Sequence, residues 1–207
     1  MANLLKTLVS EADEVEVFDW RVSPEHLCKM IRSELTDMND PTDPLTPAAQ
    51  VHLDQSPKGV LKRVRLLMGS RADFLLGGRV RVINLWRPLN KVQDWPLAVA
   101  NGSKFSYQDL IEVDLIRRDY IGSTMYAKWK EGGHEWYYLR DQEPNEICLF
   151  KNFDSDTTVN ATMCPHASFA LLDNEKRLTG CKGGSCVRES IEMRAFVFTY
   201  PTNHKTA

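Results

Sequence analysis

Apolar residues in the first part of the chain recur with a helical period, whereas many later segments alternate every second residue. Helical spacing predicts a helix over 1–12 and an amphipathic helix over 57–67. Another short helix is predicted over 24–35, because Ser23 is a suitable N-cap and Pro24 follows it at the first helical position. The predicted helices therefore lie in the first third of the chain.

Short segments with a two-residue period predict a series of β-strands. The clearest are 79–86, where charged and apolar residues alternate, and 189–200, which is rich in Ile, Val and Phe. Further strands are predicted at 15–18, 50–54, 97–100, 124–129, 135–139 and 147–152, with a helical turn at 109–115. Helices followed by many short strands favour a mainly β (α+β) fold, an antiparallel sandwich or jelly roll with N-terminal helices packed on one side.

Length and composition indicate one globular domain over residues 1–207. Hydrophobic residues make up 43% of the chain and charged residues 26%, which excludes a wholly disordered protein. Three prolines between 41 and 47 exclude regular structure there and predict a surface loop over 37–49. Residues 201–207 are expected to form a polar tail.

Charge and hydropathy limit the classes of partner. A formal net charge of −2 argues against a nucleic-acid-binding protein, because such proteins are usually basic. No apolar run approaches the roughly 20 residues of a membrane span, and the N-terminal residues lack the pattern of a signal peptide. We therefore expect a cytoplasmic protein that binds neither nucleic acid nor membrane.

The five cysteines are expected to be mostly reduced in the cytosol. Cys181 and Cys186 flank a Lys-Gly-Gly-Ser segment. The pattern leaves open whether these two pair or remain thiols in a loop.

The segment from His52 to Asp54 is the first candidate for chemistry. Residues i and i+2 of a strand point to the same face, so this imidazole and this carboxylate are placed to bind one metal ion. His134 and His166 are the candidates for a third ligand, since His26 falls on a predicted helix and His204 in the tail. Two histidines and one carboxylate are the ligand set of non-haem Fe(II) oxygenases, and it leaves positions open for 2-oxoglutarate and O2. Scattered surface residues remain the alternative interpretation.

Charged residues on the last predicted strand share one face. Arg188, Ser190, Glu192 and Arg194 alternate with apolar residues. Such a face suits a cavity that holds a carboxylate, because an arginine offers a planar fork of donors and a serine adds a hydroxyl. A solvated outer face with an ion pair between Glu192 and Arg194 is the alternative.

The order of seven motifs resembles the asaB-like hydroxylase/desaturase family over nearly the whole chain. The motifs are VHLDQS (51–56), INLWRP (83–88), WPLA (95–98), HEWYY (134–138), FKNFDS (150–155), PHASF (165–169) and RESIEMR (188–194). The resemblance implies a double-stranded β-helix fold and an Fe(II)/2-oxoglutarate-dependent oxygenase. Such an enzyme hydroxylates or desaturates a small-molecule secondary metabolite with O2.

The resemblance also implies roles for particular residues. His52, Asp54 and His166 match the metal ligands, and Arg188 with Ser190 matches the element that holds the far carboxylate of 2-oxoglutarate. Arg194, on the same face, is an alternative anchor for that carboxylate. Residues expected near the substrate pocket are Asn84, Trp86, Arg87, Trp136 and Phe169.

Family members carry several tens of residues before the point that Met1 matches, so an N-terminal part of the family fold is expected to be missing here. This leaves two alternatives to an active oxygenase. One is a family member that folds without turnover, and the other is a non-catalytic β-sandwich binding module.

Overall fold

The computed structural model describes residues 2–23, 47–117, 120–178 and 188–202. The predicted helix at 24–35, most of the predicted loop and residues 203–207 lie outside these ranges, as do His26, Cys28, Cys181, Cys186 and His204. The described α-helices are α1 (Ala2–Leu8), α2 (Pro57–Met68), α3 (Ala72–Leu76) and α4 (Asp173–Leu178). None of these helices has the length and apolar character that a membrane span requires.

Ten β-strands are described in the same ranges. They are β1 (Glu14–Ser23), β2 (His52–Leu53), β3 (Arg79–Pro88), β4 (Leu97–Ala100), β5 (Leu110–Arg117), β6 (Tyr120–Ala127), β7 (Trp136–Tyr138), β8 (Cys148–Asp154), β9 (His166–Ser168) and β10 (Ser190–Thr199). They form a four-stranded sheet in the order β1-β10-β3-β8 and a six-stranded sheet in the order β5-β6-β2-β9-β4-β7. Every described strand pair is antiparallel, which confirms the predicted antiparallel core.

The four-stranded sheet carries helices on both faces. One end of its inner face, with Phe196 and Phe198 of β10, packs on α2 and α3. At the other end, Trp86 of β3 and Phe150 of β8 meet Leu97 of β4, so the two sheets face each other there. The outer face is covered by α1 through the buried side chain of Leu5. The inner face therefore changes from a helix-covered core to a space between two sheets.

Each outer strand of the four-stranded sheet contains a β-bulge. In β1 the register with β10 shifts between Val17 and Asp19, which leaves Phe18 as the extra residue. In β8 the pairing with β3 skips Asn152. Side chains of a regular strand alternate between faces, but a bulge turns two successive side chains to the same face. Both bulges lie beside the cavity between the sheets.

The prediction of a helical turn over 109–115 is wrong. Residues 110–117 form β5, which pairs with β6 along its whole length. Glu112 and Asp114 alternate with Ile111 and Val113, and this two-residue period fits a strand better than a helix. Strand β9 and helices α3 and α4, which are three to six residues long, were not predicted.

Candidate metal centre

Strands β2 and β9 bring two imidazoles together. His52 and His166 are direct cross-strand partners, so both side chains leave the six-stranded sheet on the same face. Their ring centroids are 4.4 Å apart. Leu53 points to the opposite face and is buried in the core beneath the sheet, which returns Asp54 to the face of the imidazoles.

The three side chains face one another across a gap that suits a single cation. The Nε2 atom of His52 is 3.9 Å from Oδ1 of Asp54, and Nε2 of His166 is 4.0 Å from Oδ2 of Asp54. One ligand atom from each residue lies within 4.8 Å of the other two, and the described ranges contain no second group of this kind. Ligands lie about 2.0–2.2 Å from a metal ion, so the gap accepts one ion after a small inward movement.

Hydrogen bonds orient both imidazoles for metal binding. Nδ1 of His52 is 2.8 Å from the carbonyl oxygen of Gln50, and Nδ1 of His166 is 3.2 Å from that of Cys164. A carbonyl oxygen only accepts, so each Nδ1 donates and each Nε2 keeps a lone pair for a metal. Burial, aided by the neighbouring His52, lowers the pKa of His166 to about 3. The neutral form that binds metal is therefore the form present at neutral pH.

The contacts of the Asp54 carboxylate are divided unequally, since three hydrogen bonds reach Oδ2 and one ion-pair contact reaches Oδ1. Oδ2 accepts from Nδ2 of Asn84 at 2.6 Å, from Nδ2 of Asn152 at 2.9 Å and from Nε of Arg194 at 3.0 Å. Oδ1 forms an ion pair with Nη2 of Arg194, at 2.6 Å. Burial opposes ionisation, but the positive charge of Arg194 outweighs it and holds the pKa of Asp54 well below its usual value. Asp54 is therefore an anion whose Oδ2 already accepts three hydrogen bonds and whose Oδ1 remains available to a metal ion.

Arg194 is surrounded by carboxylates. Besides Asp54, its guanidinium donates to Oδ2 of Asp19 at 2.9 Å and to Oε2 of Glu192 at 3.0 Å. Glu192 also accepts a hydrogen bond from Asn84, and its burial raises its pKa. The charge of Arg194 is therefore already matched by acidic groups of the chain.

Arg188 has very different surroundings. Its Nη1 donates to Oγ of Ser168 at 2.6 Å and to the carbonyl oxygen of Trp95 at 3.1 Å, and its guanidinium lies 5.3 Å from the ring centroid of Trp86. Its Nε is buried and has no hydrogen-bond partner within the described ranges. No described carboxylate lies within ion-pair distance of it, and burial lowers its pKa to about 10. A buried cation without an anionic partner is costly unless a ligand supplies the anion.

One cavity of about 240 Å³ between the two sheets contains both features. The three metal-ligand candidates line it, and so do Arg188, Ser190 and Arg194. The charged face of β10 therefore turns into this cavity rather than out to solvent.

The five expected pocket residues are distributed differently. Trp86 lines the cavity, and Asn84 lies behind Asp54, to which it donates. Arg87 is exposed and donates to the carbonyl oxygen of Pro144.

The described wall of the cavity does not include Trp136, Phe169 or His134, the alternative third ligand. These three side chains pack on the six-stranded sheet. Trp136 meets Phe105 edge-on, and Phe169 meets Tyr138 in the same way. His134 stacks on Phe105 with ring centroids 3.5 Å apart, so it does not join the metal-ligand group.

Three residues that support the site were not found from the sequence. Asp19 and Asn152 occupy bulge sites, which the two-residue strand pattern does not reveal. Ser168 supports Arg188 from β9, a strand too short to predict. The motif containing Asn152 was recognised, but no role was attached to this residue.

Comparisons with known proteins point to a single family. The family model described as "Oxidoreductase/YMDC permease-like domain" matches residues 1–198. The alpha-ketoglutarate-dependent dioxygenase tstK of Talaromyces stipitatus is 32% identical over 75% of this chain and 54% of its own length. Aspirochlorine biosynthesis protein N of Aspergillus oryzae is 35% identical over 70% of this chain and 58% of its own. The hydroxylase/desaturase asaB of Aspergillus flavus is 33% identical over 61% of this chain and 59% of its own.

Comparison with a solved structure supports the predicted fold. The iron and alpha-ketoglutarate-dependent endoperoxidase NvfI superposes with a TM-score of 0.76 at 29% identity, over 96% of this chain and 66% of that one. The predicted jelly-roll class is thereby confirmed. The chain spans a little over half the length of the curated relatives it matches.

Proposed function

Because the chain belongs to the oxidoreductase/YMDC permease-like domain family, together with the asaB-like hydroxylases/desaturases, we propose that it is a non-haem Fe(II)/2-oxoglutarate-dependent oxygenase. Its substrate is a small-molecule metabolite that it hydroxylates or desaturates with O2. One observation carries the proposal: a two-histidine, one-carboxylate group shares one cavity with a buried arginine that has no anionic partner in the described part of the chain.

In this proposal His52, Asp54 and His166 hold Fe(II). Both imidazoles are oriented with Nε2 toward the gap, and the carboxylate is ionised by its cationic neighbour. Three protein ligands on one side leave the opposite positions of an octahedral ion free for other ligands. Iron with 2-oxoglutarate and O2 supplies the oxidising power, while the chain orients the reactants and excludes water.

Arg188 holds the far carboxylate of 2-oxoglutarate. Its Nη1 is fixed by Ser168 and Trp95, so its remaining donors are held in place before the ligand arrives. Ser190, buried on the same wall, adds a hydroxyl donor. A dicarboxylate supplies the negative charge that the described surroundings of Arg188 lack.

The same reasoning favours Arg188 over Arg194 as the anchor. Arg194 donates to Asp54, Asp19 and Glu192. Binding a further carboxylate would require it to release carboxylates that are themselves largely shielded from solvent, which is unfavourable. Arg194 therefore belongs to the support of the metal site.

An anaerobic titration tests the proposal directly. Fe(II) and then 2-oxoglutarate are added to the protein, and a weak visible absorption band is expected when the keto acid chelates the iron. The band is expected to disappear in His52→Ala and Asp54→Ala. If wild-type protein gives no band at saturating iron and 2-oxoglutarate, the proposal fails.

The role of Arg188 is tested with a matched arginine. Arg188→Met is expected to weaken 2-oxoglutarate binding at least tenfold, since a charge-assisted bidentate contact is lost, while metal binding persists. Arg87→Met removes an exposed arginine of β3 and is expected to titrate like wild type. Equal 2-oxoglutarate affinities in Arg188→Met and Arg87→Met would contradict the assignment.

Succinate formation separates an active enzyme from a folded but inactive relative. Iron-dependent succinate release from 2-oxoglutarate is expected for wild-type protein. A normal absorption band without succinate would identify an inactive family member.

A further inference from the structure

The two β-bulges flank the metal site from opposite edges of the four-stranded sheet. In β1 the bulge turns both Phe18 and Asp19 to the inner face, and in β8 the bulge does the same for Asn152 and Phe153. The two phenylalanines join the apolar core at the helix-covered end. The two polar residues lie next to them on the side of the cavity. The sheet thus changes from core to site at levels that differ by one residue between the two outer strands.

Asp19 reaches the metal site through one intermediary. The bulge pairs Asp19 with Arg194 on β10, and the two side chains form an ion pair at 2.9 Å. A regular β1 would place Asp19 on the same face as Val17, which packs on the outer core. Arg194 in turn donates Nε to Oδ2 of Asp54 and forms an ion pair with Oδ1. The bulge in β1 therefore fixes the arginine that grips the carboxylate.

Asn152 acts on the same carboxylate without an intermediary. It is the extra residue of the β8 bulge, is 1% exposed, and donates Nδ2 to Oδ2 of Asp54 at 2.9 Å. With Asn84 and Arg194 also on Oδ2, that oxygen has three donors. A carboxylate oxygen with three donors has little capacity left for a metal, so Oδ1 is the oxygen that remains available.

We propose that the two β-bulges make Asp19 and Asn152 positioning residues for Asp54, with Asp19 acting through Arg194 and Asn152 acting directly on Oδ2. Together they present Oδ1 as the metal-binding oxygen and keep the carboxylate from rotating. Bulges are known to re-aim side chains beside active sites, and groups that hold a metal ligand commonly change metal affinity when removed. The inference rests on the proposed iron site.

Cobalt(II) titration of metal-free protein tests this inference without requiring turnover. The visible d–d absorption band reports both affinity and ligand geometry. Asp19→Asn and Asn152→Ala are each expected to weaken Co(II) binding about 10- to 100-fold and to alter the band. Glu16→Gln is the matched control, because it removes a carboxylate from an exposed position of the same strand. It is expected to bind Co(II) like wild type.

A double variant tests whether Asp19 works through Arg194. Arg194→Lys keeps the positive charge but loses the fork. If Asp19 acts through that fork, Asp19→Asn weakens Co(II) binding much less in the Arg194→Lys background than in wild type. Equal weakening in both backgrounds would overturn the relay from Asp19.

Two controls distinguish a variant that fails to fold from a variant that contradicts the inference. Circular dichroism verifies that each variant is folded, and Asn152→Ala tests the arrangement without removing a charge. Wild-type Co(II) affinity and an unchanged band in both Asp19→Asn and Asn152→Ala would overturn the inference alone, provided that His52→Ala loses binding. If wild-type protein binds no Co(II), the proposed iron site and the inference fail together.

Discussion

The buried imidazole of His166 is expected to make the fold sensitive to mild acid. Burial and the adjacent His52 lower the pKa of His166 to about 3 in the folded protein, whereas an unfolded histidine titrates near pH 6.5. Between these values the unfolded chain binds a proton that the folded protein does not. The free energy of unfolding therefore falls as the pH falls from 6.5 toward 3.

The loss in the free energy of unfolding depends on how far the pH lies below 6.5. Each pH unit below 6.5 corresponds to about 1.4 kcal/mol for one proton, so His166 accounts for a loss of about 2 kcal/mol at pH 5. The lowered pKa of Asp54 acts in a different window. Its contribution is present above the unfolded value near 4 and is lost below it, so it changes little between pH 7 and pH 5.

Urea denaturation of metal-free protein at pH 7 and pH 5 measures this effect. Wild-type protein is expected to lose about 2 kcal/mol more than His166→Gln between the two conditions, because glutamine has no proton to bind. Other titrating groups are common to both proteins and cancel in the comparison. The same pH-dependent loss in both proteins would mean that His166 accepts a proton while folded, and the reasoning from its burial would fail.

Three further predictions concern stability and use the same urea assay at pH 7. Phe196→Ala removes a fully buried ring and is expected to cost about 3–5 kcal/mol, against less than about 0.5 kcal/mol for Leu66→Ala at an exposed position; similar losses would contradict the assigned core. Gly78→Ala would place a Cβ 2.0 Å from the carbonyl oxygen of Thr199, so a loss of about 1–3 kcal/mol is expected, and unchanged stability would argue against that close approach. Ser56→Ala removes the N-cap of α2 and is expected to cost about 1 kcal/mol or more; a midpoint equal to wild type would show that the cap is dispensable.

Local patterns were sufficient for most strands. The alternation of charged and apolar residues in 79–86 predicts β3, whose Val80 and Val82 pack in the inner core. The apolar run in 189–200 predicts β10, because successive residues of this strand pack in core clusters on both faces of the sheet. The segment at 109–115 has a two-residue alternation, but it covers only a few residues, and both faces of β5 are largely exposed. So short a pattern did not distinguish a strand from a helical turn. A strand of three residues such as β9 is too short for any period to appear.

The candidate site, too, could be predicted only in part from local sequence patterns. The strand spacing alone places His52 and Asp54 on one face, but it left His134 and His166 as equal candidates for the third ligand. The choice between these two histidines depends on the pairing of β2 with β9, which joins distant parts of the chain. Only the family resemblance indicated His166. The difference between Arg188 and Arg194 depends on which carboxylates lie opposite, and a bulge decides part of that. Bulges have no recognisable signature in the alternation of this sequence.

The direct pairing of His52 with His166 has a consequence for how the protein acquires its metal. Backbone hydrogen bonds between adjacent strands hold both imidazoles at a fixed spacing before any ion arrives. Ion binding then restricts few additional torsion angles, so little conformational entropy is lost. Small zinc domains, in contrast, fold only when the metal binds. Chelation is therefore expected to leave the sheets folded, and the protein can be emptied and reloaded with metal without refolding.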